Sequence, residues 1–542
     1  MTSRPPDTDS MEPPSAWIRT ALQQAFADLG AGRPEAAAAA CRRILEAAPE
    51  LAEAHFLVGL AALALHDRRT AVSAFGSVTR LRPRHAAAWA QLARLFMQAG
   101  QAGRADRALA EAINHEQGDP LVQDLIGITH SLLGDQAAAR DWYAKAAAGA
   151  PERVGHRVNL ANALVFLGDT AAAEAELRRA LALAPDNAQA HWLLSGVHKA
   201  RDRSHVETLV RLAARPGQPP QALAFIFYAL GKELEDLQEW DRAYEAFARG
   251  AAYRRRTVDY DEANEQATYE ALERTFTAPW LSDGLAAAPH EFADEPAPVF
   301  VVGQPRTGTT LVERIISAHS RVRSAGELQQ FGLSVRRLVE YQGTARFSAA
   351  LMEQAAQLPG ATLGRAYLNA TARLRGAASG GRFVDKLPSN FLYIPLILKA
   401  LPQARIVHLV RDPMDACFAS FKQLFADAYP HSYDQGEMAR HFVRYHRLMA
   451  VWRERFPGRF LDIRYEDVAA DVETAARALL DYLELPWEDA VLDFHRQQGA
   501  VATASAVQVR EPAHTRSIGR WRRYEARLAP MCAILEEAGV GG

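Results

Sequence analysis

The chain has 542 residues, 62 Lys+Arg against 64 Asp+Glu, and 49% apolar residues. That length implies at least two domains, and the balanced charge argues against a protein that coats nucleic acid while leaving room for a local basic site. Three cysteines, Cys41, Cys417 and Cys532, lie far apart with no CxxC pair; they form neither a metal nor a disulfide framework and fit a reducing compartment.

Residues 1–14 are Pro-rich and polar, without the apolar run of a signal peptide, and are expected to form a disordered tail. No apolar stretch reaches the roughly 18 residues that a membrane span needs. A cytoplasmic protein is the expectation. From residue 15 to 221 the chain repeats. Proline recurs at Pro49, Pro83, Pro151, Pro185 and Pro219, in steps of 34 with one gap at Gln117. Small residues recur in the same register at Ala25, Gly59, Ala93, Gly127, Ala161 and Ser195, and again at Ala37, Ala71, Ala105, Ala139 and Ala173. A turn series reads Gly32, His66, Gly100, Gly134 and Gly168. Four series in one register predict two short antiparallel helices per unit. Small residues stand at the helix crossing, a left-handed turn ends the first helix, and proline breaks the chain after the second. Such units bury their apolar faces only by stacking into a superhelix. The period and the small-residue positions resemble the tetratricopeptide repeat, which implies a concave groove for a peptide or partner protein. An Ala-rich scaffold that only supports its neighbour is the alternative. Residues 222–296 hold a last helical pair, around Gly231, Trp240 and Ala243 and shifted by two residues, and then a linker. The linker closes in the acidic, Pro-rich HEFADEPAP at 290–298.

Residues 297–542 form the second domain. The run PVFVV at 298–302 predicts a buried parallel strand, GQPRTGTT at 303–310 a Gly-rich loop, and the following LVERIISAH an amphipathic helix. Strand, loop and helix in this order cradle phosphate on backbone N–H groups and a helix N-terminus. The spacing departs from a nucleotide-hydrolase loop at one place: Thr309 stands where that loop needs lysine, and the cation is Arg306 instead. About 100 residues on, RIVHLV at 405–410 predicts a second buried strand. It ends in Arg411, followed by Asp412 as a helix N-cap and Pro413 as the first helical residue. Arg411 is thus placed where ligands bind in open α/β sheets.

Arg306 followed by Thr307-Gly308-Thr309-Thr310 resembles the 5′-phosphosulfate loop of sulfotransferases. Further segments agree in order: Gly326-Glu327, Lys386 in FVDKLP at 383–388, Arg411, FLDIRYED at 460–467, and RSIGRWRRY at 516–524. Together they resemble bacterial sulfotransferases fused to tetratricopeptide repeats, with catalytic domains similar to tyrosylprotein sulfotransferases. The fold this implies is an all-α tetratricopeptide solenoid followed by an α/β P-loop-like domain with a parallel sheet. The activity it implies is transfer of a sulfuryl group from 3′-phosphoadenosine 5′-phosphosulfate to a hydroxyl acceptor, without metal. A tyrosine of a peptide or protein is one candidate acceptor; glycans, lipid-linked sugars and small alcohols or phenols remain open.

The resemblance also assigns roles. Glu327 is the general base and Lys386 stabilises the leaving group; His319 is a rival base, but it falls at the end of a helix. Arg306, Thr307, Gly308, Thr309 and Thr310 hold the 5′ side. Arg411 grips the 3′-phosphate, and Tyr465 lies near the adenine. Gly519, Arg520 and Trp521 close over the cofactor. Ser505, with Thr503 beside it, is a further hydroxyl candidate. One departure stands out: the family's serine eight residues after the arginine is Ala419 here, with Ser420 next, and one helical step turns a side chain by about 100°. A kinase or nucleotide hydrolase, which predicts lysine at position 309, and a non-enzymatic scaffold with a degenerate nucleotide fold are the alternatives.

Overall fold

The computed structural model describes residues 15–286, 292, 295, 297–343, 345–375, 381–497 and 499–540. The expected tail at 1–14 and most of the linker at 287–296 lie outside the described residues. The chain forms two compact units, divided between Leu132 and Leu133.

The first unit is helical throughout its described part. Its helices run Ala16–Gly30, Pro34–Ala47, Ala52–Ala64, Arg68–Leu81, Ala86–Gln98, Ala102–His115 and Pro120–Leu132. The register read from the sequence has a visible physical basis. The turn positions Gly32, His66 and Gly100 all adopt positive φ, as do Gly134 and Gly168 in the second unit. The small residue at the crossing is needed for space: a Cβ on Gly59 would stand 2.6 Å from the Phe75 ring.

The second unit opens with the same architecture, in helices Gln136–Gly149, Val154–Leu167, Thr170–Leu183, Ala188–Val197 and Ser204–Ala213. The pair Pro220–Asp236 and Trp240–Arg255 carries the two-residue shift. Its turn residue Gln238 has φ 62°, and a Cβ on Gly231 would meet Phe247 at 2.6 Å, again sixteen residues on. Helices Glu262–Thr275 and Ala278–Ala286 follow.

A five-stranded sheet comes next: β1 Ala297–Gly303, β2 Val322–Ser324, β3 Arg382–Lys386, β4 Arg405–Val410 and β5 Leu461–Arg464. The order is β2-β3-β1-β4-β5 and every pairing is parallel. Alternation along β1 divides two cores. Val299 and Val301 pack with Val312, Ile315 and Leu479 on one face, while Phe300 and Val302 pack with Phe331, Tyr367 and Leu448 on the other. Both faces are therefore covered, as a parallel sheet requires. The second core does not stop at residue 297. It continues without a break into Phe227, Phe247 and Leu272 of the helices that precede the sheet.

The Gly59 contact supports a direct prediction. Gly59→Ala places a methyl group inside the Phe75 contact and should cost about 1–3 kcal/mol. Gly30→Ala, with open space around its Cβ, should cost little. Urea unfolding followed by circular dichroism on both variants checks the difference.

Candidate active site

All five strands deliver a chemically competent residue at their C-terminal ends. The loop 304–308 follows β1, Glu327 comes shortly after β2, Lys386 ends β3, Arg411 follows β4, and Tyr465 follows β5. Because β1 lies between β3 and β4, the chain turns to opposite sides there and opens a crevice, the usual ligand position in such sheets.

The phosphate-type loop is tightly determined. Gly303 has φ 147°, and a Cβ on it would meet the Leu409 carbonyl oxygen at 2.8 Å. Gly308 has φ 94° and lies under the Tyr465 ring, 2.5 Å from where its Cβ would be. Arg306 itself adopts φ 63°, a left-handed conformation that a long side chain keeps only when its surroundings enforce it. The enforcing contacts are visible. Arg411 Nη1 donates to the Arg306 carbonyl at 2.6 Å, and the Ser420 hydroxyl donates to the Pro305 carbonyl at 3.3 Å. The Arg306 guanidinium donates to Ser505 Oγ and to Gln508 Oε1. Burial, and then the nearby charge of Arg411, lower its pKa to about 10, so it remains a cation at neutral pH. The helix Thr309–Ser317 starts directly behind the loop with Thr309 and Thr310 buried; its first N–H groups have no intrahelical acceptor. Thr310 Oγ1 lies 3.4 Å from Thr503 Oγ1.

Glu327 and Lys386 are brought into contact. Residues 325 and 326 continue beside β3, with Ala325 N donating to the Val384 carbonyl and Lys386 N to the Gly326 carbonyl, both at 2.9 Å. That pairing sets Glu327 next to Lys386, and the Lys386 ammonium donates to Glu327 Oε1. Lys386 is 1% exposed in its side chain, whereas Glu327 is 39% exposed and faces the opening.

Arg411 Nη2 donates to the Ser517 carbonyl at 2.7 Å, and its guanidinium lies 4.5 Å from the centre of the Tyr465 ring. Asp412 caps the helix Pro413–Phe421 by accepting from Asp415 N, as its sequence context predicts. Asp415 in turn accepts from Gly519 N at 2.6 Å and Trp521 N at 3.3 Å, which draws the C-terminal loop over the crevice. Arg520 pairs with Glu235 Oε2 at 2.9 Å. Ser420 is fully buried beneath the loop and Ala419 is half-buried; the helical step between them turns the hydroxyl onto the loop backbone. His319 is also turned away: its Nε2 donates to the Pro486 carbonyl and its Nδ1 accepts from Arg321 N.

Several participants were not singled out in the sequence. Glu313, on the helix behind the loop, lies 4.0 Å from Lys386 Nζ and accepts from the Ser324 hydroxyl; burial raises its pKa despite the lysine. Lys422 is held by Glu235 at 2.6 Å, and burial lowers its pKa to about 8. Tyr429 lies close enough to Glu327 for that carboxylate, after burial, to raise its phenol pKa. A charged residue amid apolar helix positions, as at Glu313, was the only available signal, and it is common. The donors left over fit an anionic ligand: Arg411 Nε, Arg520 Nε, Gln304 Nε2 and Trp521 Nε1 are buried without a hydrogen-bond partner.

Residues 298–489 match the family model described as the sulfotransferase family, and residues 62–127 and 157–187 match tetratricopeptide repeat models. An uncharacterized protein of Aquifex aeolicus is 32% identical over 356 residues, 63% of this chain and 45% of that protein. A putative protein-tyrosine sulfotransferase of Caenorhabditis briggsae is 23% identical over 41% of this chain and 80% of its own length. A protein-tyrosine sulfotransferase of Drosophila melanogaster is 22% identical over 44% of this chain and 51% of its own. The chain thus spans less than half the length of the Aquifex relative. It carries a sulfotransferase-family domain behind tetratricopeptide repeats.

Asp385, next to Lys386, is fully buried. It accepts from the Tyr367 hydroxyl at 2.9 Å, and burial raises its pKa to about 8. Between about pH 4, where an unfolded aspartate titrates, and pH 8, the folded protein keeps a proton that the unfolded chain releases. Stability contributed by this group is therefore complete at acid pH and falls as pH rises through that window. Asp385→Asn, which mimics the protonated form, should flatten the fall; denaturation midpoints measured from pH 5 to pH 8 check it.

Proposed function

We propose that this sulfotransferase-family domain transfers a sulfuryl group from 3′-phosphoadenosine 5′-phosphosulfate to a hydroxyl acceptor, a tyrosine of a peptide or protein being the favoured acceptor. The observation that carries this reading is the contact of Glu327 with Lys386 at the mouth of a crevice whose phosphate-type loop bears Arg306 and lacks the lysine of nucleotide hydrolases. The tyrosine assignment is supported by the protein-tyrosine sulfotransferases among the relatives and by the exposure of Glu327.

The donor, when bound, supplies the activated sulfuryl group and an adenosine bisphosphate leaving group. Arg306, the N–H groups of Thr307 to Thr310 and the Thr309 and Thr310 hydroxyls would hold its 5′ side. Arg411, with Arg520 and the backbone of Gly519 and Trp521, would hold the 3′-phosphate. Tyr465 would bound the adenosine side. Ser505 would position Arg306, and Ser420 would brace the loop rather than replace the missing contact at Ala419. Glu327 would accept the proton of the acceptor hydroxyl. Lys386 Nζ would neutralise charge developing on the leaving oxygen, in a position fixed before reaction.

The repeats would present a partner or acceptor protein. Within the first unit, Trp89, Leu92 and Phe96 line a pocket together with Arg104, Arg107 and Glu111. A cytoplasmic location is part of the same reading, supported by three unpaired cysteines.

Calorimetric titration with 3′-phosphoadenosine 5′-phosphate, beside ADP and ATP, should show micromolar binding of the bisphosphate alone, lost in Arg306→Ala and Arg411→Ala. Lys386→Ala or Glu327→Gln should lower turnover on a competent acceptor by about 10²–10⁴. A preference for ATP with Mg²⁺ would restore the kinase reading, and no nucleotide binding the scaffold.

A further inference from the structure

Away from the crevice, three helical segments of the second unit converge on one buried carboxylate. Glu233, in the helix Pro220–Asp236, is 0% exposed in its side chain. His198, at the end of the helix Ala188–Val197, brings Nε2 to 3.0 Å from Glu233 Oε1; His205, in the helix Ser204–Ala213, brings Nδ1 to 2.8 Å from the same oxygen. The two imidazoles keep 18% and 15% of their side-chain surface open.

The hydrogen-bond pattern constrains the tautomers. His191 Nε2 lies 3.0 Å from the Pro185 carbonyl, which only accepts, so Nε2 carries the hydrogen. His191 Nδ1 in the neutral ring must then accept, and its neighbour at 2.9 Å is His205 Nε2, which must donate. A neutral His205 therefore points a lone pair from Nδ1 at the Glu233 carboxylate. Two lone pairs at 2.8 Å repel unless a cation lies between them. Meanwhile Glu233 Oε2 and His198 Nδ1 are buried without any partner.

We propose that His198 Nε2, His205 Nδ1 and the Glu233 carboxylate bind a divalent transition-metal ion of the zinc class, with water in the fourth position. The donor set of two imidazoles and one carboxylate suits that class. Bonds of about 2.0–2.2 Å give tetrahedral edges of about 3.3 Å, so each imidazole nitrogen needs to part from Glu233 Oε1 by only a few tenths of an ångström. His191 supplies the outer hydrogen bond that metal-bound imidazoles use to fix their orientation. The loop carrying His198 is already pinned: Lys232 Nζ donates to the His198 carbonyl and to Asp236 Oδ2, and Asp236 Oδ2 accepts from Ala200 N. The ion would clamp the last repeat helices to the helix whose Glu235, two residues past the ligand, holds Lys422 and Arg520.

A second cluster serves as an internal control. Glu265, His431 and His441 also lie together, but the two rings stack at 3.5 Å and 11°, so their in-plane lone pairs cannot meet at one ion. Glu265 is instead satisfied by Arg444, Tyr260 and His441.

The test uses the full-length protein stripped with chelator and titrated with Co²⁺ and Zn²⁺. One equivalent of Co²⁺ should give the visible absorption of a four-coordinate ion, and Zn²⁺ should displace it and raise the melting temperature. His198→Ala and His205→Ala should abolish both effects, His191→Phe should weaken affinity by about 10- to 100-fold, and His441→Gln should leave it unchanged. If His205→Ala fails to fold, the more exposed His198→Ala decides. Absence of stoichiometric uptake, which would mean that protons alone bridge the cluster, overturns the proposal, as does uptake that survives His198→Ala. Neither result depends on the activity of the crevice.

Discussion

A single guanidinium, that of Arg411, ties together the parts of the crevice that the fold leaves irregular. It donates to the carbonyl of Arg306 in the first loop and to that of Ser517 in the last. It therefore holds Arg306 in its left-handed conformation and the C-terminal segment over the sheet edge at once. Charge-assisted hydrogen bonds of this kind contribute more than neutral ones, about 1.5–3 kcal/mol each. The arrangement gathers cations that repel one another: Arg411 lowers the pKa of Arg306, and both Arg306 and Arg520 act to lower that of Lys422. Glu235 and Asp415 offset part of this. An anionic ligand would offset the rest, so the crevice is built with its charge in place before any ligand arrives.

The helices before the sheet are part of that construction. Glu235, on a helix of repeat type, holds Lys422 and Arg520 and accepts from the Tyr524 hydroxyl. Residues 499–510, which carry Ser505 and Gln508 to Arg306, are pinned from the other side by the repeat turn at 166–168. The Phe166 carbonyl accepts from Val501 N and from Arg510, and Arg510 fills the space that a side chain on Gly168 would need. A segment held between a repeat turn and the loop cannot move without disturbing both.

What was legible in the sequence follows from where signals are local. The repeat register could be read because each position has a separate steric cause, and the two-residue shift at Gly231 reappears as a shifted turn at Gln238. The residues at strand ends could be read because a strand, a turn and a helix start follow one another within a few positions, as around Arg411 and Asp412. Glu313, Asp415, Lys422 and Glu235 were not legible. Glu313, Asp415 and Glu235 lie on helices and Lys422 just past the end of one, and the partner of each is fixed by tertiary packing: Glu235 and Lys422 are 187 residues apart. Ser420 shows the limit of reading by proximity. It stands next to the expected position, yet its hydroxyl serves the loop backbone.

On the proposed function, the contact between Glu327 and Lys386 also bears on how a base would be kept from acting too early. Glu313 and Asp385 are the further carboxylates near Lys386, and burial raises the pKa of both, which weakens their competition for the lysine's charge. Lys386 is then paired chiefly with Glu327, and that contact occupies one carboxylate oxygen. On the proposed function, an anion reaching Lys386 would draw the ammonium away from Glu327. The half-exposed carboxylate would then be free to accept the hydroxyl proton of an acceptor. Leaving-group stabilisation and base release would thus be one electrostatic event, set by a lysine that is almost wholly buried and a glutamate that is not.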